Sequence, residues 1–181
     1  MNRLPLHPFP QLATARLRLR RLRASDAPEI YRLRADDRVN EFIDRPKAIN
    51  LQDALAYIDK IHNGVEAGDW VYWAILFQEQ KKLIGTICLW NVSAAEKKAE
   101  LGYELMPDYQ GQGIMQEAVG AVLDFGFRTL KLRSIEAVSR PANHRSIKLL
   151  EKFGFQLSGT LKETSAESSA SPAVVYTVRS S

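Results

Sequence analysis

The sequence predicts an α/β (α+β) domain, with one mixed, mostly antiparallel sheet flanked by about four helices. Three observations lead there. Periodicities run strand, two helices, three closely spaced strands, then strand and helix in alternation. The 181 residues are 45% hydrophobic and 25% charged, an ordinary globular balance with enough chain for one proper core. Neither an internal repeat nor a long linker divides them.

Residues 1–13 hold three prolines and no periodicity, and read as a leader on the surface ahead of a domain spanning 14–181. Arg16 to Leu22 is the first strand: Leu17, Leu19 and Leu22 should face inward, with the arginines in water. "ASDAPEI" starts a helix, with Asp26 as N-cap and Glu29 three positions on, a capping-box arrangement that continues to about Asp36. "NLQDALAYIDKIHNGVEAG" is a second helix. Asn50 caps it, Leu51, Leu55, Ile58 and Ile61 share a face, and Gly64 to Gly68 end it. "DWVYWAILF" and "KLIGTICLWNV" form a hairpin across "QEQK", and "AELGYEL" is the next strand, stopped by Pro107. From Gly113 to about Leu130, Ile114, Ala118, Val122 and Phe125 recur at helical spacing. "RSIEAVS" is a strand, "NHRSIKLLEKFG" a helix and "FQLSGTLKE" a strand, before the small-residue loop "TSAESSASP" and the closing strand "AVVYTVR".

Composition narrows the function classes. No apolar run approaches the roughly 20 residues that span a bilayer, so no membrane is expected. "MNRLPLHPFPQL" lacks the apolar core and cleavage site of a signal peptide, and Cys88 alone cannot form an intramolecular disulfide. A cytoplasmic setting follows as the expectation. His7, His62 and His144 lack metal-ligand spacing, so no metal is expected. The net charge is +4, and "ARLRLRRLR" carries five arginines. These alternate with core leucines and no recognition helix is evident, so nucleic acid is not an expected partner. A mildly basic surface suits steering of an anionic ligand.

The informative stretch is "DYQGQGIMQEA". A strand end, a glycine-rich turn and a helix start make an anion-binding geometry. Gly111 and Gly113 can take dihedrals closed to other residues, and free amides of the first turn suit a phosphate or pyrophosphate. A dinucleotide fingerprint would need glycine at Gln116, and a P-loop would need Lys followed by Ser or Thr. What remains is Gln-x-x-Gly-x-small, with Met115 at the small position.

That loop, behind "AELGYEL", resembles the acyl-coenzyme A loop of the GNAT superfamily of N-acetyltransferases. "LATARLRLRRLRASDAPEIYRL", "LIGTICL" and "NHRSIKLLEKFGF" are similar to further motifs of its RimJ/RimL-type branch, in order over roughly residues 12 to 163. The resemblance implies a GNAT-like domain whose fourth predicted strand, Ala99 to Met106, splays from the fifth, Arg133 to Val138. Acetyl-CoA would be co-substrate. Its pyrophosphate would lie on the amides of Gln110, Gly111, Gln112, Gly113, Ile114 and Met115, with a side-chain donor from Gln110 and the Met115 side chain directed away. The Leu105 and Met106 backbone would contact the pantetheine arm and polarise the thioester.

Asn143 is a helix N-cap by position and, by resemblance, also a pantetheine ligand. Many GNAT enzymes carry a Tyr later in this helix to protonate the departing thiolate; here Leu150 stands there, which shifts that role to Ser146. Proton donation and mere ordering of the thiol both stay open for Ser146. Glu100, Gly102 and Glu104 share a strand face, with room at Gly102 for a substrate between two carboxylates. Glu100 is the expected base, directly or through a water, with Glu104 in reserve. An α-amino group, of pKa roughly 8 against about 10.4 for lysine, asks little of that base. Direct transfer in a ternary complex is implied, and Cys88, mid-strand, reads as core rather than nucleophile. The branch favours a protein N-terminal amine, as of a ribosomal protein. A small amine (an antibiotic, a polyamine or an amino acid derivative) and a non-catalytic CoA sensor are the alternatives, and monomer or homodimer is left open.

Overall fold

The computed structural model describes Leu4, residues 6–161 and residues 172–180. "TSAESSASP" lies outside them save for Pro172. Among the described residues eight strands form one sheet: β1 (Leu12–Ala13), β2 (Leu17–Arg21), β3 (Val71–Phe77), β4 (Gly85–Ser93), β5 (Lys98–Leu105), β6 (Ser134–Ser139), β7 (Gln156–Leu161) and β8 (Ala173–Arg179). Their order is β1-β2-β3-β4-β5-β6-β8-β7. Every neighbouring pair is antiparallel except β5 and β6. A parallel pair needs a crossover, which α4 (Ile114–Asp124) supplies, extended through a π-turn at Phe125–Thr129. The other helices are α1 (Ala27–Ala35), the single turn α2 (Asp37–Asn40), α3 (Leu51–Ala67) and α5 (His144–Lys152).

Adjacent residues of β3 decide the layers, because successive side chains point to opposite faces. Tyr72 meets Tyr57 of α3 edge-on, with centroids 6.2 Å apart. Trp73 meets Phe125, at the end of α4, at 5.4 Å. Helices α1 and α3 thus cover one face, and α4 the other. Trp73, Leu17, Leu19, Ile75 and Ile87 are wholly buried between the layers.

Three local details depart from the sequence expectations. Arg20 does not face water: it is 5% exposed and paired by two nitrogens to buried Asp26, at 2.8 and 2.7 Å. Asp26 therefore does not cap α1. Its carboxylate accepts from Arg20 and from the Arg23 amide instead. The leader is packed on the domain at several points. Leu12–Ala13 pairs with β2, Leu6 is buried, and the Trp73 indole donates to the Pro10 carbonyl at 2.7 Å. Asn50 caps α3 as expected, its side chain accepting from the Asp53 amide, although Leu51 stays 48% exposed.

Candidate active site

Behind β5, Pro107–Tyr109 makes a tight turn and the chain enters α4 through Gly111 and Gly113, at φ +75° and +73°. Both are left-handed conformations that L side chains adopt only under strain. Gly113 holds the cap position of α4 and offers no side chain to the first-turn amides, which an α-helix leaves without internal partners. Ile114 and Met115 are 1% and 8% exposed, so both side chains enter the core while their amides stay at the helix start. The Met115 side chain is thus directed away from the loop.

Side chains brace the loop from both flanks. Arg16 donates to the Gln112 carbonyl at 3.1 Å and pairs with Glu117 at 2.7 Å. Gln112 reaches back to the Asp108 carbonyl. Gln110 donates to the Leu105 carbonyl at 3.0 Å and accepts from Arg145 of α5 at 3.1 Å. The side-chain amide expected to meet a phosphate thus ties β5 to α5. Arg16 and Arg145 set two cations beside the loop, neither of which the sequence singled out.

The parallel register of β5 and β6 covers Lys98↔Ser134, Ala99↔Ile135 and Glu100↔Glu136, and stops there. From Leu101 to Leu105, β5 has only β4 for a strand neighbour among the described residues, and a gap opens on its other side. Met106 donates its amide to Ile84 of the β4 side at 2.9 Å. Bonded pairs alternate along an antiparallel ladder, so the backbone groups of Leu105 and Tyr103 turn the other way, into the gap. Of the two expected backbone donors, Leu105 is available and Met106 is committed. The Tyr103 amide, which the sequence reading left out, also turns into the gap.

Asn143 caps α5, accepting from the Ser146 amide at 3.2 Å. Leu150 is wholly buried and serves the core. The Ser146 hydroxyl lies 2.8 Å from the Tyr103 hydroxyl. This contact and the Gln110–Arg145 contact link the two walls of the gap. Burial pushes the Tyr103 phenol up to about 12, partly opposed by its bond to Ser146.

Glu100, Gly102 and Glu104 lie on the other sheet face, opposite Trp90, Cys88 and Thr86 of β4. A register shift between Trp90 and Ser93 leaves Asn91 at φ +47° and brings its amide 3.0 Å from the Glu100 carboxylate. Burial raises the pKa of Glu100 above the usual carboxylate value; Asn91 opposes this and the facing Glu136 adds to it. Glu104 is not in reserve. It is 10% exposed and held by Arg45, which bonds it at 2.7 Å through one nitrogen and also engages Asn40. A Cβ on Gly102 would stand 3.2 Å from the Cys88 sulfur, a tight contact on the β4 side. Burial pushes the Cys88 thiol up to about 12, which removes it as a nucleophile. Nearby, Tyr57, Tyr72 and Thr86 form a hydroxyl chain, with Arg34 stacked 3.8 Å over Tyr57.

Ser146 and Glu100 therefore sit on opposite faces of the sheet. His62 bonds the Leu22 carbonyl and exposed His7 pairs with Glu66. Among the described residues no cluster suits a metal, and no helix is long and apolar enough to cross a membrane.

Comparison with known proteins agrees with this geometry. The acetyltransferase (GNAT) domain family matches residues 16–156. The uncharacterized N-acetyltransferase YoaA of Bacillus subtilis is 32% identical over 155 residues, covering 86% of this chain and 88% of its own. The ribosomal protein uS5-alanine N-acetyltransferase of Escherichia coli is 32% identical over 113 residues, 62% of this chain and 57% of its own. RimL, a ribosomal L7/L12 α-N-protein acetyltransferase solved with coenzyme A, superposes with a TM-score of 0.84 at 19% identity, over 94% of this chain and 98% of its own. The last comparison speaks to the fold alone.

Proposed function

This chain belongs to the acetyltransferase (GNAT) family, and from that premise we propose that it acetylates the α-amine of a protein N-terminus by direct transfer in a ternary complex. It is an N-acetyltransferase and acetyl-CoA is its co-substrate. The residues present fit that molecule: two left-handed glycines open the start of α4, two cations flank it, and the backbone edge of β5 faces a gap. The parting of β5 from β6 immediately after Glu100 is the observation that carries the reading.

In this reading the amides from Gln110 to Met115 hold the pyrophosphate, aided by the dipole of α4. Asn143 and the free edge of β5 hold the pantetheine arm as an added strand. The Leu105 and Tyr103 backbone groups face that arm and polarise the thioester carbonyl, which weights the acetyl carbon for attack. The amine attacks in its neutral form, and Glu100 takes the proton that its nitrogen sheds, directly or through one water. Its raised pKa makes it a better match to an amine than an ordinary carboxylate. Ser146 faces the departing sulfur.

Two features support a protein N-terminus as acceptor. Glu100 is flanked by open surface rather than a closed cavity, with Trp90 43% and Val138 38% exposed. A relative of 32% identity acetylates the alanine of ribosomal protein uS5. Release of CoA thiol from acetyl-CoA, measured against peptides with free N-termini and a panel of small amines, tests the proposal. Turnover should appear with N-terminal peptides and vanish when their α-amine is blocked. Turnover on small amines only overturns the acceptor, and CoA binding without turnover on any acceptor overturns catalysis.

A further inference from the structure

The hydrogen bond between Tyr103 and Ser146 joins two elements that are far apart in sequence, and the mechanism above leaves it without a task. Tyr103 comes from β5, three residues past the point where β6 leaves, so its side chain stands at the gap on the face opposite Glu100. Ser146 comes from the first turn of α5, fixed there by the Asn143 cap. Both residues are half-buried and their hydroxyls lie 2.8 Å apart. Leu150 is wholly buried, so the place where a tyrosine acid would otherwise stand on α5 belongs to the core.

Resting on the acetyl-transfer reading above, we infer that Tyr103 is a positioning residue for the leaving group: its hydroxyl donates to the Ser146 oxygen and turns the Ser146 proton toward the sulfur that departs. A shared hydroxyl contact can run either way. A phenol is a far better donor than an aliphatic alcohol, which favours Tyr103 as the donor. With one lone pair of the Ser146 oxygen so engaged, its own O–H is left to point into the gap.

Proton bookkeeping limits what the pair does. The amine nitrogen bonds to the acetyl carbon, the carbon–sulfur bond breaks, and sulfur leaves with the electron pair. The amine proton goes to Glu100. Tyr103 stays a neutral phenol at working pH, because burial holds it up at about 12. Handing its proton through Ser146 to the thiolate, whose acid is stronger than a phenol held up at about 12, would be unfavourable. The pair therefore stabilises the thiolate by a hydrogen bond, and the thiolate gains its proton later from water. A hydrogen bond to a charged group is worth about tenfold or more in an equilibrium or rate.

The test reads the thiolate itself and needs no acceptor. CoA is bound to the wild-type protein, Tyr103→Phe, Ser146→Ala and the double variant. Calorimetry gives its affinity, and ultraviolet thiolate absorbance against pH gives the thiol pKa. Each single variant should keep CoA affinity within about twofold, since the cradle lies elsewhere, and should raise the bound thiol pKa by about one unit. The double variant should raise it no further, because the two hydroxyls act in series. In turnover, Tyr103→Phe should lower kcat by about tenfold with KM for acetyl-CoA unchanged. An unshifted thiol pKa in Tyr103→Phe with CoA still bound overturns the inference and leaves the acetyltransferase reading intact. Additive effects in the double variant also overturn it, because they place Tyr103 outside the action of Ser146. Failure of the wild type to bind CoA overturns the underlying reading instead.

Discussion

Replacing Gly113 by alanine isolates the conformational demand of the loop. At φ +73° an alanine is strained by roughly 1–2 kcal/mol. Sterics add almost nothing, because its Cβ would meet only the Arg16 guanidinium at 3.6 Å, an ordinary contact with a flexible group. Loss of glycine's freedom in the unfolded chain offsets about 0.4–1 kcal/mol. Two outcomes are open to the variant, and they share one source of free energy. If the loop keeps its shape, CoA affinity is unchanged and the protein is destabilised by up to about 1.5 kcal/mol, or roughly 3–6 °C in Tm. If the loop relaxes, Tm is held and the amides must be forced back on binding, so CoA affinity falls by about 5–30-fold. Calorimetric titration with CoA and a thermal melt, run together, measure both. Gly111→Ala is the natural companion, with φ +75° and nothing within 4 Å of the added carbon. A Gly113→Ala protein with CoA affinity unchanged and Tm raised would refute the assignment of a strained left-handed cap.

Glu100→Gln should lower kcat/KM by about a hundredfold, the usual worth of a general base. The wild-type profile should lose activity as pH falls through a pKa above the ordinary carboxylate range, and the variant should lack that limb. The same change should raise Tm at neutral pH. A carboxyl whose folded pKa is raised takes stability away above its unfolded value, and glutamine removes that charge. Arg45→Leu strands Glu104, 10% exposed, without its partner and should destabilise by about 3–5 kcal/mol in chemical denaturation. Adding Glu104→Leu should return most of that loss, whereas no recovery would mean Arg45 matters through packing alone.

Some elements were legible in advance because the physics that sets them is local. Asn50 caps α3, Pro107 ends β5, and Gly111 and Gly113 take positive φ, each within a few residues of its cause. Other expectations failed where a distant partner intervened. Arg20 obeys the alternation that should put it in water, yet Asp26 turns back to meet it inside the fold. Glu104 looks as available as Glu100 in "AELGYEL", but Arg45, from a loop without periodicity, claims it. Asn91 reaches Glu100 only because β4 shifts register beside it.

The sequence by itself determined the family, the sheet-and-helix order, the glycine turn ahead of α4 and the choice of Glu100 and Ser146 as the groups to watch. Each depends on spacing along the chain, and spacing survives without coordinates. Only the tertiary structure decided which face each group serves. Glu100 and Tyr103 differ by three positions, so strand alternation sends one to the face covered by α1 and α3 and the other toward α5. Where β6 stops pairing determines which β5 amides stay open to a ligand. Those contacts bridge 43 residues between Tyr103 and Ser146, and 59 between Arg45 and Glu104, and no local pattern encodes them.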